Sequence, residues 1–220
     1  MMNKKGILFI ISGASATGKD TVIAKVLEQH GEDAKLSISM TTRKPRLGER
    51  DGIDYFFVDV EGFERRISEN RLLEYAKYGP NYYGTPVGPV KNWLNEGKIV
   101  FLIIEVQGAA QVRERFPEAR SIFVLPPSMT VLEERLRKRG TEDEEAIQCR
   151  LAIAHDEIKR ASEYDYIIIN DELDVAVENV LSICNYELEK NNNMEITDCS
   201  AEQFEKDNMI KLISEVIDNA

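Results

Sequence analysis

The stretch from Gly13 to Thr21, GASATGKDT, constrains this chain more than any other. The apolar run Ile7, Leu8, Phe9, Ile10, Ile11 precedes it and has the length of a buried strand. Val22 to Leu27 follows with a helical pattern. Strand, glycine-started loop, G-x-x-x-x-G-K and helix together form the context of a nucleotide phosphate-binding loop. Gly13 and Gly18 permit positive φ and a close approach of backbone to ligand. The N–H groups of the loop and of the helix N-terminus then face the phosphates. Lys19 adds a point charge between the β- and γ-phosphates. One position departs from the pattern: Asp20 stands where Ser or Thr is usual, and Thr21 follows it. The plainer alternative is a glycine-rich turn that binds nothing, against which loop, lysine and flanking elements all agree.

Further strand-length apolar runs lie at Ile99–Ile104, Ser121–Leu125 and Tyr166–Ile169. Helical patterns alternate with them at Lys19–Gln29, Gln107–Glu114, Met129–Lys138, Glu142–Ser162 and Leu173–Lys190. This alternation predicts an α/β fold, a parallel sheet flanked by helices. Such sheets bind ligands at the C-terminal ends of their strands, where the phosphate loop begins. Residues 36–96 break the rhythm with short pieces: Leu36–Met40, Tyr55–Val58, Leu72–Ala76 and Asn81–Gly84. They read as a small, mostly β insertion on the substrate side, in a core of residues 1–35 and 97–190.

With 220 residues and 43% hydrophobic composition, the chain can bury a sizeable core. Its net charge of −11 argues against nucleic acid as a partner. Positive charge is local, at Arg43, Lys44, Arg46, Arg50 and again at Arg135, Arg137, Lys138, Arg139. Such clusters suit small polyanions or are solvated faces. Cys149, Cys184 and Cys199 lack metal-ligand spacing and fit free thiols in a reducing compartment. His30 and His155 show no zinc pattern. The apolar segment near the N-terminus is too short for a signal peptide and runs into the loop. No apolar run reaches the ~18 residues of a transmembrane helix. The expectation is a cytoplasmic protein with no membrane partner, its oligomeric state open. Residues 191–220 form an acidic tail, seven acids against two bases. Ser200 is a candidate cap for a final helix with Phe204, Ile210, Leu212, Ile213, Val216 and Ile217 as its apolar positions. A partly ordered tail and a helix docking on a partner are both open readings.

The second chemical signal is Ser39-Met-Thr-Thr-Arg43-Lys-Pro-Arg46, then Gly48-Glu49 and Asp54-Tyr55. Guanidinium groups hold phosphate oxygens with paired hydrogen bonds, and a tyrosine hydroxyl adds another. Arg43, Arg46 and Tyr55 can therefore grip one phosphate of a second ligand; a basic surface loop is the alternative.

At this point the chain resembles the guanylate kinases. The family's order is a phosphate loop, S-x-x-T-R-x-P-R with G-E and D-Y, a glutamate near N-Y-Y-G-[ST], and an acid before Q-G. This sequence has Glu74, Asn81-Tyr-Tyr-Gly-Thr85 and Glu105-Val-Gln-Gly108, then Arg139-Gly-Thr-Glu, Arg150 and Asn170-Asp171. The similarity runs in order over about residues 5–190. It implies a P-loop NTPase-type fold and transfer of a phosphoryl group from ATP to GMP or dGMP, with Mg²⁺. It implies ATP contacts from Gly13, Ala14, Ser15, Ala16, Thr17, Gly18, Lys19, Asp20, Thr21, Arg135 and Asn170. It implies GMP contacts from Ser39, Arg43, Arg46, Tyr55, Glu74, Tyr83, Thr85 and Glu105. Lys19, Arg43, Arg139 and Arg150 are the implied catalytic cations, Arg139 and Arg150 on a helical lid at about 135–156. Guanine offers N1–H and an amine as adjacent donors where adenine presents an acceptor at N1, so an acceptor-only Glu74 prefers guanine. Magnesium is implied through the ATP phosphates, with Asp20 as a possible protein contact.

Three departures from the family stand out. The loop has GASATG where G-P-S-G-x-G is usual, and Ala16 fits only if its φ is negative. Asp20 replaces a Ser or Gly. Ile103 stands where an acid commonly lies two residues before the position of Glu105. A non-catalytic binding module of this fold and a kinase for another phosphorylated substrate are the alternatives; retention of Lys19, the arginines and Glu74 argues against the first.

Overall fold

Six consecutive buried residues, Ile7–Ser12, form β1, and the chain then turns through the glycine loop into α1, Lys19–His30. The structure is a computed structural model that describes residues 5–138, 140, 143–192 and 200–218, and only the backbone at Tyr78, Lys206 and Asn208. There follow β2 (Ala34–Leu36), β3 (Met40–Thr41), β4 (Phe56–Phe57), α2 (Val60–Ser68), β5 (Leu72–Tyr78), β6 (Asn81–Pro86) and α3 (Val87–Asn95). The second half adds β7 (Ile99–Ile103), α4 (Val106–Arg115), β8 (Arg120–Leu125), α5 (Met129–Lys138) and α6 (Glu144–Lys159). It ends with β9 (Tyr166–Ile169), α7 (Leu173–Asn191) and α8 (Lys206–Asp218). The strand order of the larger sheet is β2-β7-β1-β8-β9. Its β2–β7 and β8–β9 pairs are parallel, and the uninterrupted apolar runs of β7 and β9 are what a sheet covered on both faces requires.

The chain divides into two compact units. One comprises Met1–Ile10 and Glu32–Ala119, the other Ile11–Gly31 and Arg120–Ala220. The first unit holds a four-stranded sheet in the order β4-β3-β6-β5. Here β6 runs antiparallel to both β3 and β5, with Met40 opposite Gly84 and Thr41 opposite Tyr83. Two helices, α2 and α3, stand beside the short strands that the sequence pattern shows. Asp59 caps α2 by accepting from the Gly62 N–H at 2.7 Å. Phe63 of α2 is fully buried with Met40 and Leu72 as a small core, and its ring stacks on Tyr82 at 5.2 Å.

The second unit carries the phosphate loop, the helices α5 and α6, and the C-terminal segment. After α7, a short 3-10 turn at Ser200–Phe204 leads into α8. Ala201, Phe204, Ile213 and Val216 are buried, while Ile210 is half-exposed. Tyr166 at the start of β9 forms an antiparallel bridge with Glu205. The tail helix thus docks on its own unit. Behind it, buried Glu187 of α7 accepts from Arg120 at 2.8 Å and from the Tyr166 hydroxyl at 2.6 Å, so the buried charge is paired as its desolvation demands.

Candidate active site

In the second unit the loop is built from backbone and held by buried polar contacts. Gly13 is obligatory by proximity, since a Cβ there would lie 2.5 Å from the Val124 carbonyl of β8. Thr17, fully buried, donates from its hydroxyl to the Ala14 carbonyl at 3.0 Å. Gly18 has φ 85° and would bring a Cβ within 2.4 Å of Asn170 Nδ2. That amide donates to the Thr17 carbonyl at 2.7 Å. Arg135 of α5 donates to the carbonyls of Asn170 at 3.0 Å and of Thr17 at 3.4 Å. Asn170 and Arg135 therefore act as struts of the loop. No side chain caps α1, so the N–H groups of its first turn remain the anion-binding end of the helix.

One expectation fails here. Ala16 has φ 69°, not the negative value that the sequence reading required. A left-handed alanine costs about 1–2 kcal/mol. The turn closed by Thr17 onto Ala14 through both its N–H and its hydroxyl fixes the backbone in that region regardless. Ser15 is half-buried and its hydroxyl accepts from Arg150 Nη1 of α6 at 3.2 Å. Lys19 is half-buried at the start of α1, with Asp20 and Thr21 exposed on the same turn. Arg137, in the same basic cluster as Arg135, is committed to Glu133 and Glu144 and ties α5 to α6. Arg139 lies outside the described residues.

Among the described residues no group of three or more His, Cys, Asp or Glu could hold a metal ion. The hard oxygen donors at the loop are Asp20 and Thr21. A Mg²⁺ ion keeps several waters and takes substrate phosphates with one or two protein oxygens, so this donor set fits an ion that arrives with its nucleotide.

The first unit assembles side chains from separate strands. Arg43 lies after β3. Its Nη1 and Nη2 grip both Glu49 oxygens at 2.9 Å, and its guanidinium stands over the rings of Tyr55 at 5.4 Å and Phe57 at 5.9 Å. Tyr83 hydrogen-bonds the same guanidinium, and the Tyr55 and Tyr83 rings meet edge-on at 6.3 Å. The Arg43 fork, with the Arg46 N–H at 2.7 Å, holds the Glu49 carboxyl down at about 2. Burial raises the Tyr55 phenol. The Arg46 side chain is exposed. Ser39, half-buried, precedes β3, and its carbonyl accepts from the Phe56 N–H at 2.9 Å.

Glu74 sits on β5, 6% exposed, and its Oε1 accepts from the buried Thr85 hydroxyl at 2.7 Å. Tyr83 and Thr85, two residues apart on β6, share one face. Burial raises the Glu74 carboxyl above its usual range, against the pull of the Thr85 bonds and of Arg115. Glu105 is the N-cap residue of α4, with an exposed side chain that makes no capping bond. The structure therefore brings Arg43, Tyr55 and Tyr83 together, and Glu74 with Thr85.

The guanylate kinase family model matches residues 5–187. The chain belongs to the guanylate kinase family. A guanylate kinase of Latilactobacillus sakei is 48% identical over 182 residues, which span 83% of this chain and 90% of that one. The solved structure of guanylate kinase from Anaplasma phagocytophilum aligns with a TM-score of 0.67 at 30% identity, covering 91% of this chain and 93% of that one. Residues 188–220, with α8, lie beyond the match to the family model.

Sequence reasoning missed several residues of this site. Glu49 was visible in its motif, and its spacing from Arg43 is the only signal for its grip on the fork. Nothing in the sequence assigns a role to Gln111 or Arg115, whose bonds to β5 depend on how α4 lies along that strand. The resemblance implies an ATP contact for Asn170; in the structure its amide holds the Thr17 carbonyl.

Proposed function

We propose that the chain transfers the γ-phosphoryl group of ATP to GMP or dGMP, giving ADP and GDP or dGDP, with Mg²⁺ carried by the nucleotide. The observation that carries this reading is the buried Glu74–Thr85 pair in a chain of the guanylate kinase family. An acceptor-only carboxylate matches the N1–H and amine of guanine and leaves adenine's N1 lone pair facing a negative charge. Ser39 and Thr85 complete base recognition, and Glu105 supplies a further acceptor. Arg43, Arg46, Tyr55 and Tyr83 hold the GMP phosphate; Glu49 orients the Arg43 fork.

The loop from Gly13 to Thr21 holds the ATP phosphates through its N–H groups, with Asn170 and Arg135 fixing the loop's shape. Phosphoryl transfer is catalysed mainly by alignment and by neutralising charge on the transferring group. Lys19 supplies that charge from the loop, and Arg139 and Arg150 supply it from the lid. A GMP phosphate oxygen attacks the γ-phosphorus as the bond to the ADP oxygen breaks; the attacking oxygen is already anionic, so no general base is needed. Mg²⁺ would be held by the phosphates with Asp20 or Thr21 nearby, and it supplies charge neutralisation there. The cysteine pattern, with Cys149 and Cys184 free, supports the cytoplasm as the place of this reaction.

The test offers Mg-ATP with GMP, dGMP, AMP, CMP and UMP, and follows ADP release. Turnover with GMP far above the rest is expected. No turnover with any of them points to the binding-module alternative, and a preference for AMP overturns the role of Glu74.

A further inference from the structure

We propose that one face of α4, made of Gly108, Gln111 and Arg115, is a positioning device that sets the Glu74 carboxylate for guanine and so tunes substrate preference. This rests on the reading of Glu74 as the guanine-facing carboxylate. The three residues are spaced i, i+3, i+7 and share one side of the helix.

β5 is an edge strand, paired only through β6. Its pairing is irregular where it matters. Leu72 is opposite Pro86 and Tyr75 is opposite Gly84. Three steps along β5 thus correspond to two along β6, and the extra residue falls at Leu73–Glu74. A bulge of this kind re-aims a side chain, but it leaves local ladder hydrogen bonds unmade. The ladder alone therefore does not fix the Glu74 backbone.

α4 supplies what the ladder lacks. The Gln111 amide donates to the Tyr75 carbonyl at 2.9 Å and accepts from the Tyr75 N–H at 3.2 Å. One side chain thus reproduces the paired bonds of a neighbouring strand. Arg115 Nη1 donates to the carbonyls of Leu72 at 3.1 Å and Leu73 at 3.3 Å. The residues on both sides of Glu74 are held from the helix, and Glu74 is the one between them. Gly108 completes the seat. A Cβ there would lie 2.7 Å from Glu74 Oε2 and 3.2 Å from its Cδ, so the carboxylate rests directly against the helix. Thr85 fixes the other oxygen.

An edge cover with only a packing role would not have its effect channelled through one side chain, and a double-mutant cycle separates the two cases. The variants are Gln111→Leu, Arg115→Met, Arg115→Lys and Glu74→Gln, with Gln111→Leu also made in the Glu74→Gln background. Steady-state kinetics with GMP, AMP and ATP, and thermal melting, are read for each. Loss of the two Gln111 bonds should raise KM for GMP about tenfold. The GMP-over-AMP preference should fall by a similar factor, with kcat and the KM for ATP within about twofold. Arg115→Met should act in the same direction, and Arg115→Lys, which keeps a donor, should restore most of the loss. In the Glu74→Gln background Gln111→Leu should change KM for GMP by less than about twofold. An unchanged KM in Gln111→Leu and Arg115→Met, beside a raised one in Glu74→Gln, overturns the positioning role and leaves the guanine reading intact. Full persistence of the Gln111→Leu effect in the Glu74→Gln background overturns it too. If Glu74→Gln itself alters neither KM for GMP nor the purine preference, the underlying reading fails instead. Should Gln111→Leu not fold, the exposed Arg115 pair of variants decides the question.

Discussion

The two regions that the proposed reading assigns to substrates, a phosphate half in the second unit and an acceptor half in the first, are made differently. The phosphate half is a contiguous loop whose ligand-facing groups are backbone N–H donors, held from below by Thr17, Asn170 and Arg135. The acceptor half is a set of side chains from β3, β5, β6 and the loops around them, brought together by strand register and by bonds between side chains. Backbone recognition reads phosphate, which is common to all nucleotides, and tolerates variation in side chains. Side-chain recognition reads one base, and each residue in it carries its own share. Substitutions in the first half should therefore change the rate, and substitutions in the second should change which substrate is used.

The largest expected effect is that of Lys19→Ala, which on the proposed reading removes the positive charge that the loop brings to the transferring phosphate. Turnover at saturating substrates should fall by about 10³-fold, while calorimetric GMP affinity stays within about threefold. A parallel loss of GMP affinity would break the division between the halves.

Next is Glu74→Gln. Hydrogen bonds to a charged group contribute about 1.5–3 kcal/mol, so KM for GMP should rise roughly 10- to 100-fold. AMP should be used better, because a glutamine offers a donor to adenine N1. Stability should move the opposite way. Burial raises the Glu74 carboxyl in the folded chain, so its contribution to stability is complete below the unfolded carboxyl's range and is lost as pH rises through the folded value. Once ionised, the buried carboxylate is a net cost. Glu74→Gln should therefore gain on the parent as pH rises, by on the order of a few degrees in melting temperature, and the gap should close at acid pH. A variant that melts lower at every pH would show that the Thr85 bonds outweigh desolvation.

The difference between the halves also explains what could be read in advance. β1, the loop and α1 are adjacent in sequence, and their pattern predicts strand, turn and helix within a residue or two. Met129–Lys138 and Tyr166–Ile169 match their elements end to end, because long periodic or uninterrupted apolar runs leave little choice. α2 and α3 were not legible as helices. Each contains a glycine in its first turns, and α3 has Pro89 as well, a residue tolerated only near a helix start. The grip of Gln111 on Tyr75 joins residues 36 apart, and no local rule reaches that far. The sequence pattern reads Arg43 as a phosphate ligand, whereas in this structure its fork is held by Glu49.

The tail belongs to the phosphate half and lies beyond the family match. Its helix buries Ile213 and Val216, and the preceding turn buries Phe204. Truncation after Asn192 should lower the melting temperature by roughly 4–8 °C, the shift that about 2 kcal/mol produces in a chain of this length. Turnover of the folded molecules at 25 °C should stay within about threefold. A lost dimer mass in light scattering, rather than a lower melting point, would make the tail an interface element.

The smallest effect tests the loop's tolerance most directly. Ala16→Gly removes a left-handed strain of about 1–2 kcal/mol. Against this, glycine adds about 0.4–1 kcal/mol of unfolded-state entropy, and a buried methyl group is lost at about 0.8 kcal/mol. The terms nearly cancel, so melting of the nucleotide-free protein should shift by less than about 2 °C. Ala14, two residues earlier, is fully buried and is not among the positive-φ residues. Ala14→Gly has the same two costs with no strain to relieve, and should lower the melting point by roughly 2–6 °C. Equal losses at the two positions would mean that Ala16 relaxes out of the left-handed region in solution. A neutral Ala16→Gly beside a costly Ala14→Gly would show that the loop imposes its backbone shape on whatever residue stands there, as a site built from N–H groups requires.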